Sequence, residues 1–191
     1  MSDNANPALA HLWLDGDAWR APAGTAIPAT ILDGTATGGA AYTGWSAYGG
    51  IKAGFKVTRA SNATPIQIWN ADGDYTIKKD PDSVTVEFLP VDESRATVLT
   101  QLRGGSIVET AVGSGVFEHI MGEDEDFALL LRGKDGDDFV FYYVARGTLN
   151  EAPEEDHAGD LTGFPISVKP LTPAGGGRAI RKFRNTNPLA A

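Results

Sequence analysis

Residues 83–104, SVTVEFLPVDESRATVLTQLRG, change backbone period within a few residues, and that change limits the folds open to the whole chain. Val84, Val86 and Phe88 alternate with Thr85 and Glu87, the period-two pattern of a strand with one dry face. Pro90 has no N–H to give to a ladder and ends the strand. Asp92 stands where an N-cap belongs, and Glu93 lies in the first turn at the positive end of the helix dipole. Val91, Val98, Leu99 and Leu102 then fall on one helical face, with Glu93, Thr97, Thr100 and Gln101 on the other. Arg95 sits within the apolar stripe, where its stem can lie on apolar surface with the head in water. Gly104 and Gly105 supply the left-handed conformation that closes a helix. The expectation is a helix over about 92–103, and it is the one convincing helix in the chain. A lone helix among strands hides its stripe only by lying on a sheet.

The remaining segments read as strands and turns. Residues 11–15 (HLWLD), 55–59, 65–70, 74–79, 106–111, 116–121, 127–132, 139–146, 164–171 and 178–184 are strand candidates. The strongest hairpin signal is GKDGDD at 133–138, between FALLLR and FVFYYVAR. Neither face of FVFYYV is polar, so both faces are expected to be covered. Glycines at 34, 38, 39, 44, 49, 50 and 54 argue against regular structure across residues 33–54. A long loop of about 33–65 therefore carries Tyr42, Trp45, Tyr48 and Phe55, either as a lid over the core or as an anchor for another chain. The fold class expected is mainly β: an antiparallel β-sandwich or partial barrel with one short α-helix. Residues 1–191 are read as a single domain, with an extended C-terminal segment expected at 172–191.

Charge is unevenly placed. Through Asp160 the chain has 11 basic and all 25 acidic residues, a net of −14; beyond it, Lys169, Arg178, Arg181, Lys182 and Arg184 stand with no acid, a net of +5. An acidic body repels a phosphate backbone, which argues against stable DNA binding, whereas a negative body with a positive end complements a copy of itself. There is no cysteine, which removes disulfides, thiolate chemistry and cysteine-type zinc sites. The opening MSDNANPALA lacks the charged and apolar regions of a signal peptide, and the apolar runs at 127–131 and 139–145 are too short to span a bilayer, so no membrane partner is expected.

Motifs for chemistry are weak. His11, His119 and His157 lie in separate segments without a second ligand at helical spacing. No GxSxG, P-loop or GxGxxG-before-helix occurs. NADGD at 70–74 resembles part of a calcium loop but lacks the later bidentate glutamate, and a plain turn is favoured. The acid runs 123–126 and 154–156 read as solvated charge. The chain is expected not to be an enzyme, with no cofactor and no metal. Two non-catalytic readings remain. One is a monomeric β-sandwich module that binds carbohydrate or another ligand on Trp13, Trp19, Trp45 and Trp69, although tryptophans in strands are more often core. The other is a subunit of a larger assembly, which also accounts for the glycine–aromatic loop, the two-faced strand and the opposed charges.

The order of segments resembles the major tail tube proteins of long, flexible-tailed (siphovirus-type) bacteriophages, especially those of actinobacterial hosts. Three stretches carry the likeness: the glycine-punctuated 43–70; the strand-then-helix VTVEFLPVDESRATVLTQLRG; and FALLLRGKDGDDFVFYYVARGTLNE with LTGFPISVKPL after it. Together they cover most of the chain from Thr43 onward. The short N-terminal region and the basic, glycine-led C-terminus depart from the pattern. The resemblance implies hexameric rings stacked into a hollow virion tail tube, with sheets joining between subunits into a barrel that lines the bore. It also implies assembly on a tape-measure protein, contact with tail terminator and distal tail proteins, and DNA passing through the lumen without specific binding. Under it, Tyr42, Trp45, Tyr48 and Phe55 become the candidate inter-ring contacts. Arg178, Arg181, Lys182 and Arg184 become candidates to meet Glu154, Glu155 and Asp156 of a neighbouring copy.

Overall fold

A computed structural model describes residues 10–13, 15–32, 42–70, 72–152, 154 and 163–187. Within them the chain is mainly β, in antiparallel sheets that face one another as in a sandwich, with two short helices. The centre is the expected hairpin. Strands β9 (Phe127–Asp135) and β10 (Asp138–Leu149) pair in register around a turn in which Gly136 takes a φ of 59°. β1 (Asp15–Pro22) pairs along the other margin of β9. The HLWLD stretch is not itself the first strand: residues 11–13 lie outside it, Leu12 N donates to Asp135 Oδ2, and the strand starts at Asp15. The two-residue β2 (Ser46–Ala47) caps the sheet beside β1.

β10 has too many partners for a simple meander. One margin pairs β9 from Asp138 to Val144 and, past a bulge, again at Gly147. The other pairs β12 (Arg181–Arg184) through residues 140–143 and β11 (Ile166–Pro170) through residues 147–149. β11 pairs β6 (Ser83–Pro90), and β6 pairs β3 (Ile51–Ala60), which ends the sheet. A bulge between Lys52 and Phe55 bends β3, with Ala53 at φ 63° and Gly54 at φ 74°.

Two cores follow from the alternation in β1, β9 and β10. Ala18, Leu129, Leu131 and Val144 point to one face, where Val86, Phe88, Ile166 and Val168 of the folded-over half meet them. Trp19, Leu130, Phe141 and Tyr143 point to the other, where Ile31, Tyr42 and Trp45 lie over them. Both faces of FVFYYV are thus covered, as its lack of a polar side requires. Ile31 belongs to α1 (Ala29–Leu32), a single turn that has no signature in the sequence.

The expected helix forms as α2 (Arg95–Leu102), shorter than 92–103 and turned differently. Its N-cap is Ser94, whose Oγ accepts from Thr97 N at 3.2 Å, not Asp92. Asp92 is engaged elsewhere, accepting from Gly50 N at 2.7 Å. Thr97, Thr100 and Gln101, placed on the wet face above, are buried; Val98 and Leu99, placed on the dry one, are only half-buried. Local hydrogen bonds make this arrangement tolerable. Thr97 Oγ1 donates to Asp92 O and Thr100 Oγ1 to Ala96 O, both at 2.8 Å, so the hydroxyls enter the interior already satisfied. Arg103 (φ 50°) and Gly104 (φ 81°) close the helix in the left-handed region.

Two further hairpins complete the described residues: β4 (Ala63–Gln67) with β5 (Asp74–Lys79), and β7 (Ser106–Glu109) with β8 (Phe117–Ile120). Each is a separate two-stranded sheet.

Candidate functional site

The loop aromatics proposed above as inter-ring contacts are core residues. Tyr48 is fully buried, edge-on to Phe88 at 5.0 Å. Thr100 Oγ1 spends its proton on Ala96 O, so the Tyr48 hydroxyl donates to Thr100 at 2.8 Å. Burial pushes the Tyr48 phenol up to about 12. Tyr42 packs edge-on to Trp19 at 5.1 Å and Trp45 to Tyr143 at 6.3 Å. Burial raises the phenols of Tyr42 and Tyr143 as well, and Tyr143 OH donates to Thr25 O at 2.7 Å. Of the two uses open to these side chains, lid and anchor, the first is the one found. Within one copy Tyr42, Trp45 and Tyr48 are buried, which is the use as a lid and leaves them little surface for another chain. Phe55 differs. It is partly buried, edge-on to Tyr142 at 5.8 Å, and it walls two clefts, one on each side of the β3 bulge. Residues 33–41 of the same loop lie outside the described residues.

The basic segment splits. Arg184 turns toward the N-terminal stretch, where its Nη2 lies 2.9 Å from His11 Nε2 and its guanidinium lies 5.7 Å from the Trp13 ring centroid. Arg178, Arg181 and Lys182 line a cleft of about 670 Å³ together with Arg59 of β3. Among the described residues none of these four has an ion-pair partner within 4.0 Å. Glu154, the expected acidic counterpart, lines a different cleft of about 470 Å³ with Lys52, Lys56 and Glu151. Glu155 and Asp156 lie outside the described residues.

Exposure is concentrated where sequence reasoning had not placed a site. On β4–β5, Ile66, Tyr75 and Ile77 face solvent, and Trp69 in the turn is 99% exposed. On β7–β8, Ile107, Val108, Val112, Val116, Phe117, Ile120 and Met121 are exposed. Register puts Ile107 and Phe117 with Glu109 and His119 on one face of that hairpin, and Val108 and Ile120 with Ser106 and Glu118 on the other. Both faces carry large exposed apolar side chains, and among the described residues neither is covered. The readable signal was in residues 106–111 and 116–121, two short strand patterns with apolar side chains on both faces.

Groups suited to chemistry are scattered. His11 stacks on Trp13 at 5.0 Å, with Nδ1 3.6 Å from Asp135 and 3.5 Å from Asp138; His119 is exposed on β8; His157 lies outside the described residues. Among the described residues no three His, Asp or Glu side chains are grouped to hold a metal ion. Asn70, Asp72 and Gly73 lie between β4 and β5, where Gln67 Nε2 donates to Asp74 Oδ1 at 2.9 Å. Two arginines are buried in the sheet. Arg20 pairs with Glu125 and lies over Phe127, and Arg132 pairs with Asp17 and lies over Trp19. Both are locked in structural pairs. Of the four tryptophans, Trp19 and Trp45 are core, Trp13 is half-exposed beside Phe55 and Tyr142, and Trp69 is free. No described helix is long and apolar enough to cross a membrane. No protein-family model and no curated protein sequence matches the chain.

Proposed function

We propose that the chain is a non-enzymatic structural subunit that assembles with copies of itself: the major tail tube protein of a long, flexible-tailed bacteriophage. In this reading hexameric rings stack into a hollow conduit in the virion, built on a tape-measure protein and closed by tail terminator and distal tail proteins. Genomic DNA then crosses the lumen unbound. The observation that carries the reading is the pair of two-stranded hairpins whose apolar side chains are exposed, without cover among the described residues. A hairpin of that kind is marginal in water on its own, and surfaces of this composition mark contact with another molecule. Among the described residues β3 ends the sheet with one margin unpaired, which supports it, because such a margin is a template for pairing and ring closure removes it. The charge asymmetry supports it too, since unlike ends favour a head-to-tail contact that extends without limit. Sedimentation velocity with negative-stain microscopy of the purified chain tests the proposal. Rings or hollow fibres are expected, and a strict monomer at all concentrations refutes it. The second reading, a ligand-binding module, draws on the cleft of about 560 Å³ walled by Trp13, Phe55 and Tyr142. Under that reading the monomer binds oligosaccharide and Trp13→Ala abolishes binding.

A further inference from the structure

We infer that hairpin β7–β8 of one copy seats in the basic cleft beside β12 of the next. The inference rests on the proposed self-assembly and names one of its contacts. The cleft has two sides, residues of β3 and β6 on one and residues 178–183 on the other. Arg59, Arg178, Arg181 and Lys182 line it together with the apolar Val84, Ile180 and Phe183, and Asp82 is the one acid in its lining. None of the four has an ion-pair partner among the described residues. Lys182 lies over the Tyr142 ring at 5.4 Å and Arg181 over the Phe183 ring at 4.8 Å, while Arg178 is exposed, so an anion with apolar neighbours fits the lining.

The β7–β8 hairpin has that composition. From Gly104 to Leu131 there are six acids and no lysine or arginine. Two are committed within the copy, Glu125 to Arg20 and Asp126 to Arg146. Glu109, Glu118 and Glu123 have no cationic partner among the described residues. Glu118 shares a hairpin face with Val108 and Ile120, and Glu109 shares the other with Ile107 and Phe117, so either face offers acid and hydrocarbon together. The base of the hairpin is fixed, since Gly105 N and Gly122 N both donate to Leu102 O, at 2.8 and 2.7 Å. The projection is thus presented in a defined direction. Nucleic acid is the other polyanion to consider. The acidic body and Asp82 within the cleft oppose it, and it would leave the apolar lining and the hairpin uncovered.

The chain has no cysteine, which permits a direct test. Full-length Glu118→Cys and Arg178→Cys are mixed under mild oxidation. A disulfide-linked dimer of the two variants is expected, and the double variant should give a ladder of oligomers. Absence of mixed dimer, in a wild type that assembles, overturns the inference and leaves the proposed function standing. A wild type that never assembles overturns both. Independently, Arg178→Glu and Glu118→Lys should each cut the assembled fraction by about tenfold near 100 mM salt, and combining them should restore it. Both positions are exposed, so circular dichroism should match wild type. Wild-type assembly in the single variants, or no recovery in the combined one, refutes the pairing. Binding of a short DNA duplex near 150 mM salt that Arg178→Glu abolishes would reassign the cleft to phosphate.

Discussion

Tyr48 shows how a polar side chain can serve as a core residue. Its ring packs on Phe88 and its hydroxyl reaches Thr100, which lies on the side of α2 that composition marks as wet. Removing the hydroxyl in Tyr48→Phe deletes one buried hydrogen bond, while Thr100 keeps its bond to Ala96 O, so a loss of about 1 kcal/mol is expected in urea titration. The same pair makes a pH prediction. The phenol moves from its ordinary 10.0 to about 12 on folding, so its neutral form is favoured by the folded state. Its contribution is fully present below pH 10 and is lost as pH rises to about 12. Wild type should therefore lose stability relative to Tyr48→Phe by up to about 1.4 kcal/mol per pH unit in that window, read from urea midpoints. Asp17→Ala tests one of the two buried arginine pairs. It leaves Arg132 with only the looser Asp15, 3.9 Å away. Breaking a wholly buried pair costs about 3–5 kcal/mol, and because Asp17 is a third exposed the expectation here is about 2 kcal/mol.

Secondary-structure elements differ in how openly the sequence declares them. β9 and β10 were legible because an apolar run, a Gly-Asp turn and a second apolar run leave little choice, and because a strand dry on both faces must be sandwiched. α2 was legible in existence and misread in orientation. Helical periodicity counts Val98 and Leu99 as inward residues, but threonines whose hydroxyls bond their own backbone enter a core at little cost, and their partner Tyr48 is distant in sequence. The aromatics at 42–48 could be named but not assigned, because what lies beneath a glycine-rich loop is set by Trp19, Phe88 and Tyr143, which come from three separate strands. The cationic side of the candidate site was visible as a charge run; Arg59, which completes it, was hidden in a strand. At this scale the hairpin base is the sharpest test. A Cβ at Gly105 would fall on Ile120 O and Gly122 N, and one at Gly122 on Arg103 O, all of them backbone atoms that cannot swing aside. Gly105→Ala or Gly122→Ala should displace β7–β8, seen as altered amide chemical shifts across residues 103–122, with the β9–β10 amides unmoved. Ser94→Ala, by contrast, removes only a cap and should cost about 1 kcal/mol.

At the scale of the whole molecule the charges and the hairpins address the same question. Repulsion among copies of a chain with net charge −9 weakens self-association unless unlike regions meet, so assembly should depend on salt in a way that an apolar contact alone would not. Hydrogen exchange offers a second measure. In the separated copy the amides of β4–β5 and β7–β8, held in two-stranded sheets, should exchange far faster than those of β9 and β10. On assembly the β7–β8 amides should slow while β9 and β10 change little. Equal protection of the hairpins before and after assembly would show that they stay outside the contact.

The β9–β10 ribbon has one further consequence. It is a party wall between two rooms: Leu129, Leu131 and Val144 furnish one side, Leu130, Phe141 and Tyr143 the other. Neither room can empty without moving the partition, and the partition cannot move without disturbing both. A calorimeter should therefore record one endotherm from the separated copy, and a cavity cut on either side, as in Leu131→Ala or Phe141→Ala, should lower that same peak without splitting it.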